Sequence, residues 1–408
     1  MDIKIQRKID RWIGSVVCYL FSLFSRNDKG PRAPEQVEKV LVILLSEMGS
    51  LILGYPMFQR IRQNYPNATL YGLVFKKNRE VLNLLKVTSQ ENVLTLDDSS
   101  LWTFAIDSVG AIRRMRQLKM DVVIDCELFA RISSIFSFLS GAVIRAGFHR
   151  HTQEGLYRGS FINRPVLYNP YRHISRQFLT LVDAIASDTH PKAKDSDEDD
   201  IEGLPTIKFD PLEVAAMQTQ LYGDYPTLKG SKIVLLYPGG GLLPIRAWPL
   251  PYYNELAKTL LNRGFAVGII GLAADKNIAH AILQECRHPA CVDLTGYTKT
   301  IHELMLIFQF TDLLITNDGG PVHFAALTDL PSIIFFGPET PLLYRPFNDK
   351  ATVFYKQIAC SPCLTAYNHR NSPCDGDNVC LKRISPEMVI AKALEILRTP
   401  NEKKNQDT

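Results

Sequence analysis

The chain has 408 residues, 46% of them hydrophobic and 22% charged, with a formal net charge of +4. That length and apolar share suit two α/β domains rather than one, each able to bury its own core. So small a charge gives no case for nucleic acid, and the sequence holds no RNA- or DNA-binding motif.

Residues 1–34 read as a separate N-terminal segment. Its apolar run WIGSVVCYLFSLF (12–24) has Lys4, Arg7, Lys8 and Arg11 before it and Arg26 after it. The run is too short to span a bilayer, and no small-residue cleavage site follows. The pattern predicts an interfacial helix whose cations and aromatics suit an anionic membrane leaflet; a helix packed on the following domain is the alternative.

A first domain is expected over 35–187. The buried-looking run 122–124 ends in Asp125 and Glu127, two carboxylates at a strand end. Residues 145–176 carry six arginines and three histidines interleaved with aromatics. Such a surface suits anionic sugars, with Arg145, Arg150 and Arg172 as candidate contacts; a solvated basic face is the alternative. Residues 188–204 lack large apolar side chains almost entirely and predict an acidic linker or mobile loop. Their DSD and DED triplets have no apolar flanks to fix a metal.

The second domain is expected over 205–398, with apolar runs such as 233–236 and 267–270 alternating with amphipathic helices, which implies a parallel sheet. The first run meets a glycine-rich turn, YPGGGLLPIRAWP, containing Gly240, Gly241 and Arg246. This is neither a GxGxxG fingerprint nor a GxxxxGK[ST] loop, which counts against a dinucleotide dehydrogenase and a P-loop kinase. Arg246 is a permanent cation near any diphosphate bound at the turn, or else a surface charge. Thr300 to Glu303 read as a capping box that starts a helix. The run 313–316 then breaks at NDGGP before a helix over 322–327. Asp318, Gly319, Gly320 and His323 there suit an anion site; a capping aspartate with a satisfied histidine is the alternative. Cys360, Cys363, Cys374 and Cys380 could hold a structural zinc, although the last pair is spaced wide for a zinc knuckle. A closing helix over 385–397 follows, with Pro386 at its start, and 399–408 is a polar tail.

Taken in order, GGG…RAWP, DLTGYTKTIHEL, ITNDGGPVHFAA and PSIIFFGPETP resemble glycosyltransferase family 9, the bacterial lipopolysaccharide heptosyltransferase family. The opening VLVILLSEMGSLILGYPMFQRIRQNYPNATLYGLV is similar to that family's first strand, glycine loop, helix and second strand. The resemblance spans residues 40–397. It implies a GT-B fold: α/β, with two Rossmann-like domains whose parallel sheets face a central cleft. It also implies an inverting, metal-independent transferase that moves a heptose or related sugar from an ADP-sugar. The acceptor would be a lipid-linked lipopolysaccharide core precursor, and the setting the cytoplasmic face of the inner membrane. No cofactor is required beyond the nucleotide-sugar donor, ADP-heptose.

By position, the resemblance gives donor contacts to Gly240, Gly241, Arg246, Asp318, Gly319, Gly320 and His323, with Lys299 and Thr300 near the base. One departure bears on chemistry. Family members carry an aspartate after the glycine of the first loop, where this chain has Ser50. A serine hydroxyl is no general base near neutral pH, so Glu47 in the same loop becomes the candidate catalytic carboxylate. The alternatives are a catalytically silent homologue that binds a nucleotide sugar or glycan, and another GT-B enzyme such as a nucleotide-sugar epimerase.

Overall fold

The computed structural model describes residues 7–24, 36–45, 47–128, 130–149, 157–196, 203–241, 243–367 and 370–398. The chain divides into two compact units, residues 1–203 with 366–369, and residues 204–365 with 370–408. The polar tail 399–408, Arg150 and the acidic core of the expected linker, 197–202, lie outside the described residues. Just before that core, Ser187 Oγ accepts Ala193 N–H at 2.8 Å and Lys192 Nζ donates to Ser187 O at 2.8 Å, closing a turn over residues 187–193.

In the first unit the strands are β1 (Lys39–Ile43), β2 (Thr69–Phe75), β3 (Val93–Leu96), β4 (Val122–Asp125), β5 (Ile144–Phe148) and β6 (Arg164–Val166). They form one sheet in the order β3-β2-β1-β4-β5-β6, and each pairing is parallel. The second unit holds β7 (Ile233–Tyr237), β8 (Ala266–Gly271), β9 (Cys291–Thr295), β10 (Leu313–Asn317), β11 (Ser332–Phe336) and β12 (Ala351–Tyr355). Its order is β12-β11-β10-β7-β8-β9, again parallel throughout. Counted within its own unit, each sheet runs 3-2-1-4-5-6, the doubly wound Rossmann arrangement. The α/β expectation with parallel sheets is what is observed.

Helices cover both faces of such sheets, so the central strands β7, β10 and β11 are buried along their whole length rather than on alternate residues. In the second unit Trp248 anchors the core. Its indole stacks on Phe335 at 4.5 Å between centroids, and its Nε1–H donates to Ile384 O at 2.9 Å. The closing helix, Pro386–Leu397, packs on the helix Leu250–Asn262 and on β10.

The N-terminal segment is helical from a π turn, Asp10–Gly14, into the helix Ser15–Leu23. One side is docked on the first unit: Cys18 is buried, Phe21 stacks on Phe138 at 4.7 Å, and Ser22 Oγ lies 2.9 Å from Tyr157 Oη. Asp10 caps the helix Arg131–Leu139 by accepting from Arg131 N and Ile132 N at 2.9 and 2.8 Å. Among the described residues no helix is long and apolar enough to cross a membrane.

Candidate active site

In the second unit β7 and β10 are neighbours, and the strand order runs away from them in opposite directions. A crevice opens at the carboxyl ends of parallel strands where the order reverses in this way. Both glycine-bearing segments begin there, since Tyr237 closes β7 and Asn317 closes β10.

The first segment turns on its glycines. A Cβ on Gly240 would lie 2.6 Å from Pro244 Cα, and Gly241 has a φ of +59°, so a side chain at either strains the turn. A 3-10 segment, Pro244–Arg246, then brings Arg246 Nη1 to 3.3 Å from Asp318 Oδ2. Burial raises the Asp318 carboxyl above its usual range, and the Arg246 guanidinium pulls it back. Arg246 Nε is buried and meets no acceptor among the described residues. One donor of a fixed cation is therefore left for an anion.

The second segment is open where a ligand would approach. A Cβ on Gly319 would meet nothing nearer than Tyr237 Cε1 at 3.7 Å, and one on Gly320 nothing nearer than Phe324 Cε2 at 3.6 Å. The helix expected over 322–327 begins earlier and spans Gly320–Ala325, because Pro321 suits a first turn. His323 is buried within it.

Two residues to which the sequence reading gave no role complete this end of the sheet. Asn317 is fully buried. Its Nδ2 donates to the carbonyls of Tyr237, Pro238 and Gly239 at 3.3, 3.0 and 2.9 Å, and its Oδ1 accepts Trp248 N–H at 2.8 Å. A single amide thus ties the end of β7, the glycine turn and the Ala247-Trp248-Pro249 step to β10. The signal was the asparagine ending a strand run, which reads as an ordinary turn former. Glu339, in the loop after β11, is also buried. Burial, helped by the nearby Asp318 carboxylate and opposed by Arg246, pushes its carboxyl well above the usual range. Arg370 Nε lies 3.5 Å from Glu339 Oε1.

Lys299 and Thr300 are exposed and follow β9, two strands from β7 at the same end of the sheet. Thr300 Oγ1 accepts Glu303 N–H at 3.1 Å and starts the helix Ile301–Phe308; Glu303 in return accepts Lys299 N–H at 2.5 Å. Lys299 Nζ reaches back to Gly296 O at 2.6 Å.

In the first unit the equivalent reversal lies between β1 and β4. The loop after β1 is held by Glu127 Oε1, which accepts Leu45 N–H at 2.8 Å, and by Asn78 Nδ2, which donates to Leu45 O at 2.6 Å. Glu47 then occupies the N-cap position of the helix Met48–Leu53 without bonding to its backbone; its Oε2 instead accepts the Ser50 hydroxyl at 3.1 Å. Asp125 is fully buried in an ion pair with Arg158. Burial pushes its carboxyl up to about 6 against the pull of Arg158. The strand-end carboxylates Asp125 and Glu127 thus have structural work in this unit.

The arginine-rich stretch divides in the same way. Arg158 and Arg164 are fully buried, and Arg158 donates to Ala130 O, Glu127 O and Phe148 O at 2.9, 2.5 and 3.2 Å. Arg145 donates from Nε to Phe161 O at 2.7 Å and from Nη1 to Ala142 O, so its guanidinium serves the backbone around β5. Arg172 differs: its Nε is buried and meets no acceptor among the described residues.

The structural zinc that the four cysteines could hold is not supported. Among the described residues no group of three or more His, Cys, Asp or Glu side chains is placed to hold a metal. Cys380 is buried in the apolar core beside Leu381, while Cys360 and Cys374 are exposed, and Cys363 bonds to Ser372 Oγ at 3.1 Å. The four thiols thus range from exposed to buried.

The chain also has relatives among known proteins. The family model for Glycosyltransferase family 9 (heptosyltransferase) matches residues 110–372. The chain is similar to lipooligosaccharide heptosyltransferase 2 of Haemophilus influenzae, 26% identical over 368 residues, covering 88% of this chain and 99% of the relative. It is 22% identical to lipopolysaccharide heptosyltransferase 2 of Escherichia coli, with 88% and 98% covered. In three dimensions it is similar to E. coli ADP-heptose lps heptosyltransferase II, with a TM-score of 0.68 at 20% identity over 88% of this chain and 98% of that one. E. coli heptosyltransferase WaaC with ADP-2-deoxy-2-fluoro heptose gives 0.57 at 15% identity, over 88% and 99%. With the family model covering well over half its length, and a doubly wound sheet in each unit, the chain belongs to glycosyltransferase family 9, the heptosyltransferases.

Proposed function

We propose that this chain transfers a heptose or related sugar from an ADP-sugar to a lipopolysaccharide core-type acceptor, with inversion at the anomeric carbon. The observation that carries the reading is the Arg246–Asp318 pair at the β7/β10 reversal, with a spare buried N–H on the arginine. The donor diphosphate sits against the glycine turn, Gly240 and Gly241, and against Gly319, Gly320 and His323. Lys299 and Thr300 line the approach of the base.

As the bond from the anomeric carbon to the diphosphate oxygen breaks, negative charge grows on ADP, and Arg246 stabilises it. The arginine supplies counter-charge that a divalent cation would otherwise bring, so transfer is metal-independent. An acceptor hydroxyl attacks the opposite face of the same carbon, its proton passes to Glu47, and ADP leaves with both electrons of the broken bond. Ser50 orients Glu47 through the hydroxyl it donates. Arg172 is the acceptor contact favoured by its spare N–H, with Arg150 as a further candidate, whereas Arg145 is taken up by backbone carbonyls. The reaction takes place on the cytoplasmic side of the inner membrane, where the helix Ser15–Leu23 lies in the lipid interface.

Incubation of the full chain with ADP-heptose and a lipopolysaccharide core precursor, alongside GDP- and UDP-sugars, tests the reading. Glycosylated acceptor and released ADP, unaffected by a chelator, are expected. Donor binding without turnover would favour the silent homologue that Ser50 suggests, and an isomerised donor an epimerase.

A further inference from the structure

Among the described residues, the docked N-terminal helix leaves a second face exposed. Trp12, Val16, Tyr19, Leu20 and Leu23 recur at helical spacing opposite buried Gly14 and Cys18, and Trp12 is 72% exposed. A second helix in the same unit has the same property. In Leu101–Leu118 the residues Ala111 and Met115 are buried, while Trp102, Ile106 and Val109 form a stripe on the opposite face, with Trp102 75% exposed.

Both helices flank the helix Arg131–Leu139 and pack against it. Leu101–Leu118 links β3 to β4 and Arg131–Leu139 links β4 to β5, so right-handed crossovers put them on one face of the sheet. The two unpartnered stripes therefore belong to one helical layer. Patches of this kind on a soluble protein mark a contact surface.

The charges around the stripes say what covers them. Exposed Lys8 and Arg11 stand beside Trp12, and exposed Arg113, Arg114, Arg116 and Lys119 follow Val109. The acidic groups of these elements turn away: Asp10 caps Arg131–Leu139, and Asp107 accepts Asp97 N–H at 2.9 Å. Apolar side chains ringed by cations match the interface of an anionic bilayer, into which tryptophans insert while lysine and arginine meet the headgroups.

We infer that the helix Leu101–Leu118 is a second membrane-docking element, and that with the helix Ser15–Leu23 it forms a two-helix platform which seats the first unit on an anionic lipid surface. The inference rests on the interfacial reading of Ser15–Leu23 and adds to it a second element, the helix that links β3 to β4. Two contacts instead of one fix the orientation of the unit on the membrane as well as its residence there.

The test uses the full chain with vesicles of phosphatidylcholine alone and of phosphatidylcholine with phosphatidylglycerol, read by co-sedimentation. Binding to the anionic vesicles is expected, and Trp102→Glu with Ile106→Glu should weaken it at least about tenfold while leaving the melting temperature and donor hydrolysis unchanged. Leu20→Glu with Leu23→Glu should weaken it similarly. If only the second pair loses binding, the two-helix inference fails and the interfacial reading stands. If wild type ignores both vesicles, both fail. A wild-type dimer that Trp102→Glu turns into monomer, with lipid binding intact, assigns the stripe to a second copy and overturns the inference.

Discussion

Glu47 Oε2 accepts the hydroxyl of Ser50 at 3.1 Å, so the carboxylate at this N-cap position is held by a side chain three residues on rather than by the helix backbone. An N-cap acid ordinarily takes the N–H of the third helical residue. Here the backbone is left alone and the carboxylate is aimed by a hydroxyl. If Glu47 removes the acceptor proton, Glu47→Gln should lower kcat by about 10²–10⁴ with donor affinity unchanged. Ser50→Ala should cost less than about tenfold, since it removes only the aim. Undiminished turnover by the glutamine variant would take the base away from this loop.

Arg246 and Asp318 can be separated into structural and chemical parts. Arg246→Met strands a buried carboxylate and should cost about 3 kcal/mol in urea unfolding. Adding Asp318→Asn should restore most of that stability. Turnover should stay down about 10²-fold in both, because the counter-charge for departing ADP is missing either way. A double variant that regains activity together with stability would place Arg246 outside the chemistry.

The glycines make a paired contrast. Alanine at Gly240 would put Cβ 2.6 Å from a backbone atom, so thermal stability should drop by about 1–3 kcal/mol or more. Alanine at Gly319 would meet only an ordinary contact at 3.7 Å. That variant should melt with wild type yet bind ADP at least about tenfold more weakly by calorimetry, because its methyl group takes ligand space. Equal ADP affinity would move the diphosphate elsewhere.

Asn317→Ala removes the partner of three carbonyls and of Trp248 N–H at once. Buried groups left unpaired cost about 1–3 kcal/mol each, so a loss of at least about 3 kcal/mol is expected even with relaxation. Amide exchange should also speed up at Trp248. A mild effect would mean that the glycine turn is held by its own geometry.

Glu339 gives a pH dependence of definite sign. Its folded carboxyl is raised, so above about pH 4.3 the unfolded chain has released a proton that the native state keeps. Stability from this group is present at low pH and falls as pH rises, by at most about 1.4 kcal/mol per unit, until the folded carboxyl ionises too. Glu339→Gln stays neutral at every pH. Denaturation from pH 5 to 8 should therefore show wild type losing ground to the variant; a difference that is flat or opposite in slope would mean an ionised Glu339.

The sheets were legible because central parallel strands are apolar throughout: the run 233–236 became Ile233–Tyr237, 267–270 became Ala266–Gly271, and 313–316 became Leu313–Asn317. Glycines, Arg246 and Asp318 were legible from their order along the chain. What sequence did not reveal was direction. Asp125 and Glu127 looked like free strand-end acids, and Arg145, Arg158 and Arg164 like a basic surface. Whether such groups meet backbone carbonyls or solvent depends on tertiary neighbours far along the chain, as Asp125 and Arg158 illustrate. Asn317 was hidden for the converse reason, since an asparagine at a strand end suits any turn, and its five partners come from three separate segments.

The repeated strand order has a consequence for inheritance. Each half closes its own sheet, so if donor and acceptor are read in separate units, as proposed, the two sets of loops hang from separate strands. Donor preference and acceptor preference can drift at separate speeds in descendants of such a chain. An exchange near residue 204 between two relatives would then pass on each sheet whole, with only residues 366–369 parted from the unit they cluster with.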